Sequence, residues 1–519
     1  MSKIASAMKR RDFLGRASLG AAVLGFPAIV RSQNAAPRVT SGVQAGDVAG
    51  GRAVIWARAD RPGEMEVEWA TNERFERSSI VGNSFALESN GLCAKVDLQK
   101  VPPGETVFYR VRFRDLQDGR AVGEPVAGRF RTASQGDRDV TFLWGADTVG
   151  QGYGINPDMG GLRIYETMSR VDADLFIHLG DTVYADQIIE KEKRAGDGTT
   201  FRNLTTEAKS KVAETLDEYR GQWAYNLLDE NFRNFNGQIA QFMIWDDHEV
   251  HDNWCPGTIL EDPRYKNERR VDVLAARARR GFFEFTPIRG FDPSLTKIDR
   301  ILGHGPLLDV FGLDMRSYRG VNSGNRQEKL DASSALLGAE QVATLKKSLK
   351  ASRAAWKVIA SDMPIGLVVG DGPGRYEAVA NGDPDLPTGR ELEIADILSF
   401  LRKERIGNVI WITGDVHYAA AHRYSPDTAA FTDFDPFWEF VAGPLHAGTF
   451  GPNTLDKTFG PSVRFLSIPQ GMKPNQPPSA GLQFFGKGII DAKTRELTVS
   501  LHDLSGRKLW SITLPPQEA

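Results

Sequence analysis

The 519-residue chain is too long for one small core, and its length suggests about two to four domains. With 41% hydrophobic and 25% charged residues it has the balance of an ordinary globular protein, and a net charge of −3 leaves no basic excess to hold nucleic acid. Two cysteines, Cys93 and Cys255, cannot make a disulfide framework and are read as buried thiols.

The first element is a targeting pattern. Lys9-Arg10-Arg11-Asp12-Phe13-Leu14-Gly15 precedes an Ala- and Gly-rich apolar stretch from Ala17 to Val30. That stretch falls short of the roughly 20 residues a spanning helix needs. Paired arginines ahead of Phe-Leu mark a twin-arginine export signal over residues 1–36, so the partner is the twin-arginine machinery and the expected location is periplasmic or secreted. The mature chain is expected to start near residues 32–37, and no other segment has the character of a membrane span.

Residues 37–134 read as strands. Ala53-Val54-Ile55-Trp56-Ala57 follows a Gly-Gly turn, and Glu64–Trp69 and Val107–Phe113 alternate apolar and polar. Gly128–Thr132 closes the set. Such spacing predicts a small all-β sandwich, and the Pro102-Pro103-Gly104-Glu105-Thr106 turn before the Tyr109 strand is similar to fibronectin type III domains. No charged cluster suggests chemistry there.

From 135 to 519 strands alternate with helical stretches, the pattern of an α/β domain. Helices are predicted over Arg163–Val171, Arg264–Phe283, Gly338–Ala351 and Arg390–Arg405. Strands are predicted over Leu307–Leu313 and Trp356–Ala360, with three more in the tail at Gly486–Ile490, Leu497–Leu501 and Lys508–Ile512, expected at a sheet edge. Asp371–Pro387, dense in Gly, Asp and Pro, is a long loop of the kind that is usually functional.

Four β-prone runs end in carboxylates. Val140–Trp144 leads to Asp147, and Asp174–His178 leads to Gly180-Asp181-Thr182-Val183-Tyr184. Ile244-Trp245 leads to Asp246-Asp247-His248-Glu249, and Val409–Ile412 leads to Asp415-Val416-His417. In open α/β sheets the carboxyl ends of strands converge on one site. Oxygen-rich clusters with an imidazole suit hard metal ions, so a two-metal hydrolase is expected. Asp181 is the candidate bridge; Asp147, Tyr184 and His417 complete one ion's shell, and Asp247 and Asp415 face the other. His248 is better used as a donor to a phosphoryl oxygen or as a leaving-group acid. Tyr184 ligates well only where a strong Lewis acid takes its proton, which favours Fe3+ in the first site; the carboxylate-rich second suits Ca2+, or Mn2+. Asn253 is a candidate carbonyl ligand of the second ion.

Each residue also has a plainer reading. A single Asp after a strand commonly caps a helix, but three consecutive charged groups behind an apolar strand need partners. Arg316, in Asp314-Met315-Arg316-Ser317-Tyr318-Arg319, either pairs with Asp314 or another acid or clamps a substrate phosphate. His178 is read as a satisfied core histidine and His422 as a residue that could touch the site; His251, His304, His446 and His502 stand alone.

These residues resemble the signature blocks of the PhoD-type alkaline phosphatases: His178–Tyr184, Trp245–Glu249, Leu313–Arg319 and Gly414–Tyr418, in a chain that also has the leader and the sandwich. The resemblance covers almost the whole chain. It implies a metallophosphoesterase-like α/β sheet domain, a βαβ sandwich, and hydrolysis of phosphate mono- and diesters at alkaline pH with iron and calcium; Mn2+ or Mg2+ is the other occupant considered for either site. Substrates would be small phosphate esters or phospholipid head groups, with a phospholipase D-like diesterase as the alternative, and a monomer is expected. A catalytically silent scaffold is disfavoured by the intact acidic set. Two departures stand out. Asp147 occupies the position where many members carry a metal-binding Cys, which is similar to purple acid phosphatases. The loop before the last helix is the polar Asn381–Pro387 rather than a Trp- and Tyr-containing one.

Overall fold

A computed structural model describes residues 36–290 and 297–517; the twin-arginine pattern lies outside the described residues. Seven strands near the start make the expected sandwich. Val39–Ala49, Arg52–Ala59 and Cys93–Gln99 form one face; Ser79–Ala86, Gly63–Ala70, Thr106–Asp115 and Val126–Arg131 form the other, in that order. Strict alternation drives the packing: Val107, Tyr109, Val111 and Phe113 are buried between the faces, while Arg110 and Arg112 lie on the wet side against Glu68 and Glu66 of the neighbouring strand.

The first face continues past the sandwich. Val39–Ala49 pairs in parallel with Ala240–Met243, so three sandwich strands become the edge of a nine-stranded sheet. At this joint Gly46 is required, because a Cβ there would stand 2.7 Å from Pro287 and 2.9 Å from the Gln241 carbonyl. The sheet runs on through Leu175–His178, Val140–Gly145, Phe484–Ile490, Leu497–Asp503 and Lys508–Leu514, the last three being the expected tail strands at the far edge.

A seven-stranded sheet packs against it: Arg300–His304, Leu308–Gly312, Trp356–Ala360, Val409–Thr413, Phe437–Val441, Ala420–Tyr424 and Pro461–Leu466. The period of two again decides the layers. Val310, Val358, Ile410 and Ile412 belong to the core between the sheets, whereas Phe311, Ile359 and Trp411 pack outward under the helices Ala339–Ala351 and Glu391–Lys403. This is the expected α/β architecture of two sheets covered by helices.

Helix limits agree with the predicted ones within two residues except at one start. The stretch expected from Arg264 is helical only over Val271–Phe285. Its first residues are held extended because the Glu268 carboxylate takes the backbone N–H groups of Arg269 and Arg270, and Ile259 bridges Arg270. Two helices escaped the sequence reading, Leu216–Asn226 and Glu230–Asn236; the first carries a Thr215/Glu218 capping box and the second an Asp229 cap.

Candidate metal centre

Seven strands aim at one place. Val140–Gly145, Leu175–His178 and Ala240–Met243 run parallel in the large sheet, and Leu308–Gly312, Trp356–Ala360, Val409–Thr413 and Phe437–Val441 run parallel in the small one. The carboxyl ends of six of them deliver Asp147, Asp181, Asp247, Arg316, Asp362 and Asp415. The loops are laced together: the Thr148 N–H donates to the Asp181 carbonyl at 2.7 Å, and the Gly414 N–H donates to the Asp362 carbonyl at 2.8 Å. Glu249 pins two of them at once, its buried carboxylate taking the N–H groups of Asp181, Thr182 and Asp246 at 3.0, 2.6 and 2.9 Å.

Backbone strain collects here. Asp147, Asp181, Asp415, His417 and Asn253 all have left-handed φ, between 53° and 69°. Non-glycine residues adopt this region only where surrounding structure enforces it, which is characteristic of functional sites.

Asp147, Asp181 and His417 bring ligand atoms within 4.8 Å of one another, as do Asp181, Asp247 and His248, and Asp246, Asp247 and Asp415. Asp181 is common to the first two groups. The Tyr184 hydroxyl lies 3.0 Å from His417 Nε2, and Asp147 Oδ1 lies 3.6 Å from the same nitrogen. His417 Nδ1 faces the Gly448 carbonyl, which fixes the tautomer with its Nε2 lone pair toward the cluster. Burial lowers its pKa to about 4, so the ring is neutral, as a metal ligand requires. Both carboxylate oxygens of Asp147 are buried without a hydrogen-bond partner. Burial raises the carboxyls of Asp147, Asp181 and Asp415 well above the usual range, with neighbouring acids adding to the effect. Asp247 is different: burial is outweighed by His248, Arg316 and the Asn253 N–H at 2.6 Å, and its pKa falls to about 2. A buried set of acceptors this poor in protein donors fits cation binding.

His248 stacks on Tyr184 with ring centroids 4.3 Å apart, and its Nδ1 is held by Asp186 at 2.9 and 3.0 Å. Burial opposes its charge, but Asp186, Asp247 and Asp181 prevail and hold the imidazole protonated well above the ordinary histidine value. Its Nε2 lies 3.5 Å from an Asp252 carboxylate oxygen.

The clamp reading of Arg316 is corrected by its surroundings. The side chain is 0% exposed, with Nε 2.7 Å from Asp246 and 3.0 Å from Asp362, and Nη1 on Glu377. It is absent from the lining of the cleft, so it acts beneath the acidic cluster by pairing; Asp314, the partner suggested by sequence, instead accepts Arg316's backbone N–H. Asn253 does line the cleft, but its Nδ2 donates to Asp371 at 3.3 Å and its clearest contact with the site is the N–H on Asp247. His178 is the satisfied core residue expected, between Thr148 and Thr182. His422 pairs with Glu439 and is not among the residues lining the cleft.

Sequence reasoning missed Asp186, Asp362 and Glu377. Asp186 stands two residues past Tyr184 and gave no separate signal. Glu377 lies in the long loop flagged as functional, and only the fold shows that it reaches Arg316.

The family model described as PhoD-like phosphatase matches residues 142–501, and that of the PhoD-like phosphatase N-terminal domain matches residues 26–134. Alkaline phosphatase D of Bacillus subtilis (strain 168) is 27% identical over 457 residues, covering 82% of this chain and 72% of that protein. A solved structure of PhoD superposes with a TM-score of 0.67 at 19% identity, covering 92% of this chain and 93% of that one. A purple acid phosphatase from yellow lupin (Lupinus luteus) seeds gives 0.54 at 14% identity, covering 93% and 74%, and shares the fold. The chain therefore belongs to the PhoD-like phosphatase family and is a metal-dependent phosphoric ester hydrolase.

Proposed function

We propose that the protein is an exported phosphatase that hydrolyses phosphate mono- or diesters at a centre of two ions. The observation that carries this reading is a chain of adjoining carboxylates: Asp181 lies with Asp147 and His417 on one side and within 4.8 Å of Asp247 on the other, and Asp247 in turn lies within 4.8 Å of Asp415. Asp147, Asp181, Tyr184 and His417 would hold the first ion; Asp181, Asp247, Asp415 and Asn253 would hold the second. Such a pair, when bound, supplies an activated water and neutralises charge on the phosphoryl oxygens.

The donor sets bear on which ions these are. Burial and the carboxylates of Asp181 and Asp147 hold the Tyr184 phenol well above its usual pKa, so if its oxygen ligates the first ion, that ion is a strong Lewis acid such as Fe3+. The all-oxygen second set suits Ca2+, with Mn2+ or Mg2+ as other occupants of either site.

The chain's own groups complete the chemistry. His248 Nε2–H is placed to donate to a phosphoryl or leaving-group oxygen, and Asp186 keeps the opposite ring nitrogen protonated and oriented. Arg316 offsets the charge of the acids beneath the cluster. Phe450 is the one aromatic side chain among the described residues that line the cleft besides the imidazoles, so the cleft lacks the extra aromatic residues that would favour a phospholipase D-like reaction on lipid head groups.

Metal-loaded protein should turn over p-nitrophenyl phosphate or its bis-ester, and chelation should abolish both reactions. Undiminished turnover after verified removal of metal would overturn the reading, and choline release from phosphatidylcholine faster than either turnover would favour the lipid alternative. Export is tested by replacing Arg10 and Arg11 with Lys: active enzyme should remain in the cytoplasm, and normal export would refute the twin-arginine assignment.

A further inference from the structure

Asn253 sits in a turn rather than at the end of a strand, and its φ of 55° is left-handed. Its N–H reaches Asp247 at 2.6 Å, so the surrounding structure must hold the turn in that shape. The side chain of Asn322 does this. Its Nδ2 donates to the Asn253 carbonyl and to Asp371 Oδ2, both at 3.0 Å, and the other Asp371 oxygen accepts Asn253 Nδ2 at 3.3 Å. Asn253 is thus gripped at its carbonyl and its amide by one pair of side chains.

Asn322 is itself fixed. It is buried, and its Oδ1 accepts from Arg390 Nη2 at 2.7 Å, Arg319 Nη2 at 3.1 Å and Cys255 Sγ at 3.3 Å. An amide turned the other way would aim its oxygen at a carbonyl and a carboxylate, and its N–H groups at two guanidiniums, so only one orientation fits. Arg319 and Arg390 are buried too, and both donate to the Glu377 carbonyl. One amide therefore ties the Asn253 turn to the loop that supplies Asp371 and Glu377. Asn322 is not among the residues lining the cleft, so it acts on the site through Asn253.

We propose that Asn322 is a positioning residue of the metal centre, which sets through Asn253 how firmly Asp247 and Asn253 hold the second ion. This role rests on the two-ion reading of the centre, with Asp247 and Asn253 at the second ion. Groups that orient metal ligands govern affinity by about 10–100-fold.

The test is titration of the metal-free full chain with Mn2+, in the parent, Asn322→Asp and Asn322→Ser, beside urea unfolding in chelator. Asp keeps an oxygen for Arg319 and Arg390 but has no N–H for Asn253 or Asp371. Ser is neutral and too short to span Arg390 and Asn253. The parent should bind two Mn2+ ions. In both variants one binding step should weaken about tenfold or more while the other holds, and lost turnover of p-nitrophenyl phosphate should return at high Mn2+. An extra carboxylate near a cation would by itself tighten binding, so weakening by Asp reports lost positioning rather than charge. If the Asp variant fails to fold, the Ser variant decides. A parent that binds one ion would overturn the two-ion reading, and this role with it. Two ions in the parent with equal affinities in the variants, or both steps weakened alike with a lowered unfolding midpoint, would overturn the role of Asn322 alone.

Discussion

Replacing Arg316 separates a structural role from a substrate-binding one. The guanidinium is 0% exposed and meets three carboxylates, those of Asp246, Asp362 and Glu377, with Asp247 and Asp415 at 3.9 and 4.0 Å. Arg316→Met would leave these acids without their shared counter-ion. Removing one partner of a buried pair costs about 3–5 kcal/mol, and with several acids affected the upper half of that range is expected. Arg316→Lys keeps the charge but cannot reach three acids with a single ammonium, so a loss of about 1–3 kcal/mol is expected. The assay is urea unfolding in chelator, so that metal binding does not enter the midpoint, alongside kcat and KM of the metal-loaded variants. If Arg316 instead clamped substrate phosphate, KM would rise while the unfolding midpoint stayed put. A Met variant within about 0.5 kcal/mol of the parent, with a raised KM alone, would refute the pairing account.

Tyr184→Phe should bleach the visible phenolate-to-iron charge-transfer band expected if the first site holds Fe3+, with partial loss of turnover because Asp147, Asp181 and His417 remain; a band that survives, or an active enzyme without iron, would count against phenolate ligation. Lys95 is a probe of pH dependence. It is buried with Nζ donating to the Ile288 carbonyl at 3.0 Å, and burial lowers its pKa from 10.5 to about 8. A base depressed in the folded state binds its proton more tightly when unfolded, so it destabilises the fold below pH 8, by up to about 3 kcal/mol, and the penalty fades as pH rises toward 10.5. Lys95→Met should therefore raise the unfolding midpoint at pH 7 and lose that advantage near pH 10; a variant less stable than the parent at pH 7 would contradict this.

Much of the site was legible because its ligands sit directly behind apolar strands. Asp147, Asp181, Asp247, Asp415 and His417 each follow a run whose β character is plain, and parallel strands bring such ends together. The groups that hold the ligands in place were not legible. Glu377 reaches Arg316 across 61 positions of sequence, from a loop with no periodicity, and the choice between clamp and pair depended on burial that a linear pattern does not carry. The sandwich was read correctly from alternation, but its union with the large sheet rests on the register Ala45–Ala240, a long-range pairing without local signature. The late start of Val271–Phe285 has a similar cause, since apolar spacing persists through a segment whose N–H groups Glu268 has taken.

The central claim is that Asp181 joins two ions in one catalytic centre, and metal stoichiometry of the active parent and of Asp181→Asn, measured beside their turnover, tests it most directly. The account predicts two ions per active chain, no more than one in the variant, and a loss of activity on the order of 10²-fold or more, as when an electrostatic group at the phosphoryl centre is removed. An Asp181→Asn protein that keeps both ions and normal turnover, or a fully active parent with fewer than two, would contradict it.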